Sequence, residues 1–479
     1  MDPKYNVVVI GAGSAGLISA YMSAAVKARV ALIERHKMGG DCLNTGCVPS
    51  KALIRTARFV HDLRRHQELG VAEVQFRLDF AQIMQRVQDK VAAIEPHDSI
   101  ERYTGLGVEC YQGDAQLDDL HRVRLGDRTF STKNIILAVG ASPIIPPLPG
   151  MDRISPLSSD NLWQLRTLPQ RLVVLGGGPI GCEMAQAFHR LGSSVTQIEM
   201  MPRLLSKEDP DMAELVVKRM RAEGVTIRTS TRAVRIEVQG GEKQLVVQGP
   251  NGPEERVPFD ELLCAVGRRP NTQSFDWQKF GIELNPNGTF KTDAYLRTSQ
   301  AHIFAAGDCA GPFQLTHAAS HQAWYCAMNA LFAPLVRFKA DYRVLPWCTF
   351  TDPELAQVGL NETMAKEQGL AYEVTHYDMS DLDRAITESE DYGAIKVLTV
   401  PGKDRILGVS ICSHLAGELI GPFALAMKHG LGLRKILGTV HAYPTFIEAN
   451  KAVAGAWTRP RVPQWALRFL TQYHAFRRR

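Results

Sequence analysis

The sequence is short of cysteine: nine in 479 residues, most of them alone inside apolar stretches. That density excludes a small secreted scaffold stapled by disulfides, and the reducing cytoplasm is the compartment it fits. Charge of one sign is lacking too, since 55 Lys+Arg face 50 Asp+Glu for a net charge of +5 spread along the chain. With no basic block, no nucleic-acid partner is expected. Low-complexity tracts are absent although Gly (39) and Pro (26) are plentiful, which excludes collagen-like and disordered classes. One long uncharged run, Tyr5 to Val26, lies close to the start of the sequence. Gly11, Gly13 and Gly16 interrupt it, and β-branched NVVVI gives way to SAGLISAYMSAAV. A strand, a turn and a helix are expected there, not a signal peptide or membrane span.

What is present is length for about three domains and an internal repeat. Val7 to Ile10 leads into Gly11, Gly13 and Gly16, then a helix-length segment, the strand Val30 to Ile33, and Glu34. Leu172 to Leu175 leads in the same way into Gly176, Gly178 and Gly181, a helix, the strand Val195 to Ile198, and Glu199. In both copies the acid lies 18 positions after the third glycine. The first glycine permits a tight turn, the second lets backbone approach a pyrophosphate, and the third packs helix on strand. The helix N-terminus offers N–H groups to phosphate, and the carboxylate accepts from ribose hydroxyls. Two copies imply two dinucleotide sites. Glu199 would repel a 2′-phosphate, so NAD(H) is favoured over NADP(H) at the second, with Arg203 read as a loop arginine.

Strands are also expected at Asn134 to Gly140, followed by a proline-rich linker, and at Leu262 to Gly267, followed by Arg-Arg-Pro270. A further segment, Ile303 to Gly307, ends at Asp308. From about residue 344, strands at Val358 to Leu360, Ala394 to Val400 and Ile406 to Cys412, with two helices, suggest an α+β module.

Between Glu34 and the next helix, Cys42 and Cys47 stand five apart among Gly39, Gly40 and Gly46. This setting can close a small disulfide ring, and a nearby helix N-terminus favours thiolate. Zinc spacing is not matched.

With these motifs the sequence resembles the flavin- and pyridine-nucleotide-dependent disulfide oxidoreductases, the group that holds dihydrolipoamide dehydrogenase, glutathione reductase and mercuric reductase. The resemblance covers essentially the whole chain. It implies that Gly11, Gly13, Gly16, Glu34 and Gly140 hold FAD, that Lys51 lies near the flavin with Glu183 as its acid partner, and that Asp308 binds the ribityl chain. The helix from Thr316 and His317 would point its positive end at the flavin, a reading preferred to metal binding by His317 and His321. Gly176, Gly178, Gly181, Glu199 and Gly267 would hold NAD(H). Cys47 would carry the thiolate beside the flavin and Cys42 would meet the substrate. Trp347 to Gly359 resembles the opening of the family's dimer-forming domain, so a homodimer is expected.

The chain departs from the pattern at His441-Ala-Tyr443-Pro-Thr-Phe-Ile-Glu448. Dihydrolipoamide dehydrogenases and glutathione reductases place His before that proline, paired with Glu five places on; here the place is Tyr443, with Glu448 retained. A phenol with a reference pKa of about 10 is a poor base for thiol proton transfer, and His441 is a weaker substitute. Tyrosine is similar to mercuric reductases and soluble transhydrogenases. However, residues 473–479 lack the cysteine pair of the former, and transhydrogenases usually lack the full pair kept here.

The expected fold class is α/β, with two Rossmann-like dinucleotide-binding domains and an α+β dimerisation domain. FAD-domain segments at 1–150 and 273–343 would flank an NAD(H) domain at 151–272, ahead of an interface domain at 344–460 and a basic aromatic tail at 461–479. The expected activity is hydride transfer from NADH to FAD, to the Cys42/Cys47 disulfide, and on to a small-molecule or protein disulfide or thiol acceptor. The alternatives are a metal-ion reductase like mercuric reductase, a transhydrogenase or diaphorase, and a non-catalytic nucleotide-sensing or scaffolding flavoprotein. In the tail, Trp465, Phe469, Tyr473 and Phe476 recur at near-helical spacing beside Arg468 and Arg477 to Arg479. Packing on the protein's own dimer is preferred there to contact with a membrane surface.

Overall fold

A computed structural model describes residues 4–273 and 275–478, so Arg479 of the expected tail lies outside the described residues. The chain divides into two compact units: Met1–Gln67, Val71–Pro202 and Thr226–Asp341 form the first, and Glu68–Gly70, Arg203–Val225 and Tyr342–Arg479 the second.

The first unit contains the two glycine-rich repeats. Strand Tyr5–Ile10 lies between Val30–Glu34 and Arg128–Leu137, parallel to both, and Val108–Gln112 and Ile303–Ala305 extend the parallel sheet on either side. Val7, Val8 and Val9 are fully buried, which is why this strand is continuously apolar rather than alternating. The second repeat builds a parallel sheet in the order Thr226–Arg228, Ser194–Ile198, Arg171–Leu175, Glu261–Cys264. An antiparallel sheet of Arg232–Gln239, Glu242–Gln248 and Glu254–Phe259 accompanies it.

Several strands differ from their expected bounds, among them Val358 to Leu360, which is observed as Glu354–Gly359, and two in the first unit. The expected Asn134 to Gly140 strand runs from Arg128 to Leu137, because its first half pairs with Arg122–Leu125 and Gly140 leaves the sheet with φ +67. Likewise the expected Leu262 to Gly267 strand is Glu261–Cys264, and Gly267 turns at φ +128. Arg268–Pro270 then pairs with Ala141–Pro143, tying together the two proline-marked exits.

The second unit is an antiparallel five-stranded sheet ordered Pro346–Thr349, Glu354–Gly359, Ile406–Ser413, Ala394–Thr399, Glu373–Asp378. Its outer strands Pro346–Thr349 and Glu373–Asp378 were not anticipated; the latter alternates half-buried and exposed residues and carries little apolar signal. Helices Ala416–Lys428 and Glu448–Thr458 supply Phe423, Val453 and Trp457 to the core. Lys396 is fully buried in this unit and reaches Asp209 at 2.7 Å, Asp211 at 2.6 Å and Glu362 at 3.0 Å. The three acids could in principle ring a metal, but the ammonium occupies their centre. Helix Gln464–Arg477 follows, and none of its residues is buried.

Candidate active site

In the first unit, both glycine repeats make the same cradle. Glu34 accepts from the Ala12 N–H at 2.6 Å and the His36 N–H at 2.8 Å. Glu199 accepts from the N–H groups of Gly177 and Met201, which stand at the same offsets from the acid. Each carboxylate retains lone pairs for ribose hydroxyls. Gly11 and Gly176 sit at φ +98 and +112, and a Cβ on either would meet the backbone oxygen of Ala138 or Ala265. A Cβ on Gly178 would instead enter open space at the start of helix Pro179–Leu191, the place where a pyrophosphate is expected. Helices Ser14–Ala25 and Pro179–Leu191 have no side-chain cap, so their first N–H groups remain available to phosphate. Both cradles therefore fit dinucleotides.

Around the first cradle, Lys51 and Glu183 form an ion pair at 2.8 Å, with Glu183 buried. Gln322 accepts from the Gly307 N–H at 2.7 Å and donates to the Gly311 carbonyl at 2.6 Å, bracing the turn that carries Asp308. Burial pushes the Asp308 carboxyl up, while Arg268, 3.4 Å away, opposes the shift. The same guanidinium pairs with Asp41 and donates to the Ala141 carbonyl at 2.6 Å. Arg268 and Asp41 were missed in the sequence, where Arg268 is one of two adjacent arginines before Pro270. Their signal is tertiary, because one cation links the cysteine loop to the Asp308 turn.

Cys42 lies in the short helix Gly40–Asn44, and Cys47 is the first residue of helix Cys47–Arg64. Both are free thiols, Cys42 half-buried and Cys47 exposed. The intervening loop is held by the Trp163 indole, which donates to the Thr45 carbonyl at 2.9 Å, and by the Asn44 amide, which donates to Met38 and Gly40. The Cys47 pKa falls to about 6, chiefly because the Cys42 thiol donates a hydrogen bond to it. Thr316 at 3.4 Å and the Lys51 charge pull in the same direction. Cys42 is held protonated, mainly by that same hydrogen bond and then by burial. The pair thus separates into a thiolate and a thiol. His317 starts helix Thr316–Phe332 beside Thr316. His321 bonds the Asp341 carbonyl at 2.9 Å and packs edge-on against Tyr325. Neither histidine belongs to a three-ligand cluster among the described residues.

In the second unit, Tyr443 is 71% exposed and donates its hydroxyl to Asp383 at 2.9 Å. That bond raises the phenol's pKa further. Asp383 carries no sequence signal, since the pairing is 60 residues long. Glu448 opens helix Glu448–Thr458 and accepts from the Thr445 N–H at 3.3 Å, and His441 turns to the Thr439 carbonyl at 3.0 Å. Arg203 donates to the carbonyls of Leu205, Ser206 and Glu208, so it shapes its own loop.

Comparison with known proteins shows the family. The profile described as pyridine nucleotide-disulphide oxidoreductase matches residues 5–323, and that family's dimerisation domain matches 345–454. Mercuric reductase of Bacillus cereus is 32% identical over 93% of this chain and 70% of its own length. Dihydrolipoyl dehydrogenase of Chlamydia muridarum is 33% identical over 94% of this chain and 96% of its own. Among solved structures, a Cu(II) complex of the HOCl-induced flavoprotein disulfide reductase RclA from Escherichia coli superposes with TM-score 0.82 at 28% identity, covering 94% of this chain and 99% of the other. LpdA from Mycobacterium tuberculosis gives TM-score 0.85 at 25% identity, over 95% of this chain and all of the other. The chain belongs to the pyridine nucleotide-disulphide oxidoreductase family, as an FAD-dependent disulfide oxidoreductase that uses NAD(P)H.

Proposed function

We propose that this oxidoreductase passes electrons from NADH through the Cys42/Cys47 pair to a thiophilic metal cation. The observation that carries this reading is the Tyr443 hydroxyl, which donates to Asp383 and titrates above an ordinary phenol. Reduction of an external disulfide asks for a base that takes the interchange proton and returns it to the leaving thiol. A phenol held protonated serves that step poorly. A soft cation displaces thiol protons as it binds sulfur, so the dithiol needs no such base.

FAD, when bound, supplies the two-electron carrier between nicotinamide and the cysteines. The chain's own groups do the rest. Gly11, Gly13 and Gly16 with Glu34 hold one nucleotide, and Gly176, Gly178 and Gly181 with Glu199 the other. Lys51, fixed by Glu183, directs positive charge beside Cys47. Cys47 holds negative charge at neutral pH, and Cys42 presents sulfur to the acceptor. In balance, NADH and a proton convert the Cys42–Cys47 disulfide to two thiols, and these return two electrons to the cation as the disulfide re-forms with loss of two protons. Glu199 supports NAD(H) over NADP(H) as the donor.

The dimerisation domain supports a homodimer. In it, Tyr443 and Glu448 would stand beside the cysteine pair of the partner subunit, and the three-domain partition with the NAD(H) domain inserted at 151–272 belongs to the same reading. A small disulfide is the second reading, favoured by the Cys47 thiolate at neutral pH.

Steady-state NADH oxidation with Hg(II), Cu(II), lipoamide and glutathione disulfide, before and after Tyr443→His, tests the choice. Turnover with a cation in the parent enzyme, and lipoamide turnover that rises about tenfold or more in Tyr443→His, is the expected result. Fast lipoamide turnover in the parent, unchanged by the substitution, would overturn it.

A further inference from the structure

Helix Gln464–Arg477 stands apart from the rest of the second unit. The chain before it is anchored: the Arg461 guanidinium lies 4.2 Å from the centre of the buried Trp457 ring, pairs with Glu373, and donates to the Trp457 carbonyl at 2.6 Å. Beyond Pro463 that anchoring stops. Trp465 is 73% exposed, Phe469 61% and Phe476 75%. Tyr473 joins them with its ring stacked on Phe469, and Leu470 is also exposed.

These side chains form one stripe. At 100° per residue, Trp465, Phe469, Tyr473 and Phe476 fall within about 80° of the helix circumference, with Leu470 flanking them. The electrostatics is one-signed, since no Asp or Glu occurs from Ala449 to Arg478, whereas Arg468, Arg477 and Arg478 lie on or next to the helix. An aromatic stripe in a helix bearing only positive charge meets its complement at an anionic bilayer surface. The rings enter the boundary between headgroups and acyl chains, and the guanidinium groups meet lipid phosphates. A two-fold pairing of this helix with its copy would bring like charges together. The family's dimerisation match, moreover, ends at residue 454, before the helix begins.

We propose that helix Gln464–Arg477 docks the enzyme on a membrane surface rich in anionic lipid, lying in the plane of the interface. The helix is too polar to cross a bilayer, and among the described residues no helix is long and apolar enough to do so. The inference stands independently of the electron acceptor.

Flotation of the full-length holoenzyme with two vesicle preparations tests it: phosphatidylcholine alone, and phosphatidylcholine with phosphatidylglycerol in equal parts. The protein should float with the second, stay behind with the first, and be released by raised salt. Trp465→Ser/Phe469→Ser and Arg477→Glu/Arg478→Glu should each weaken association on the order of tenfold or more. Both should leave NADH-dependent turnover, FAD content and dimer mass unchanged, because none of these side chains is buried. Failure to float with anionic vesicles would overturn the proposal. So would undiminished flotation of both variants, or dissociation of the dimer by the aromatic substitutions, which would assign the helix to a second copy of the chain.

Discussion

The two cysteines are chemically alike in the sequence and unlike in the fold. The Cys47 thiolate is sustained first by the hydrogen bond from Cys42 and then by Thr316 and Lys51. Alkylation of the reduced enzyme by iodoacetamide, followed by mass spectrometry at Cys47, should titrate with a midpoint near 6. Cys42→Ala removes the strongest of these effects, so the midpoint should move up toward an ordinary thiol; an unmoved midpoint would show that the neighbouring sulfur is not the cause. The glycines differ from one another in the same local way. Gly176→Ala forces a Cβ against the Ala265 carbonyl at positive φ, and should lower both the melting temperature and NADH affinity. Gly178→Ala meets no protein atom and should weaken NADH binding with the melting temperature unchanged. Calorimetry and NADH titration of the two variants separate the roles.

Among the elements, the antiparallel sheet of the second unit depends on charges that its strands do not advertise. Lys396 sits on Ala394–Thr399 between apolar neighbours and is fully buried, with Asp209 buried beside it. Lys396→Met leaves that carboxylate unpaired and should cost about 3–5 kcal/mol, read as a fall in the urea midpoint. Glu208, close by in sequence, behaves in the opposite way. Burial raises its carboxyl from 4.5 to about 7, even though the Trp347 indole donates to it at 2.7 Å. The folded state therefore holds this proton more tightly than the unfolded chain does. Its stabilising effect is complete below about pH 4.5 and is lost as pH rises through about 7. Glu208→Gln should flatten the decline of unfolding free energy between those limits, by up to about 3 kcal/mol, and a pH slope of the urea midpoint equal to that of the parent would refute the assignment.

At the scale of the whole molecule, the proposed function needs a dimer in which the second unit's Tyr443 and Glu448 would reach the partner subunit's cysteines. Light scattering should report twice the chain mass, and Trp465→Ser/Phe469→Ser should keep that mass because the dimerisation match ends before the helix. Much of this organisation was legible in the sequence. The repeated glycines with an acid 18 places on, and the paired cysteines between glycines, are short-range patterns whose residue types follow from the chemistry they serve. The same holds for helix Gln464–Arg477, whose spacing and absence of acids are visible in the linear chain.

Tertiary structure alone decided which charges and hydrogen bonds meet. Arg268 with Asp41 and Asp308, Tyr443 with Asp383, and Lys396 with Asp209, Asp211 and Glu362 are contacts between residues far apart in the chain. No periodicity or motif encodes such partners, because each side chain is ordinary until folding removes its water and selects its neighbour. The sequence by itself determined the two glycine-rich cradles and the paired cysteines, through local sterics and spacing. The fold determined which sulfur carries the charge, why the tyrosine keeps its proton, and that no residue of helix Gln464–Arg477 is buried against the rest of the chain.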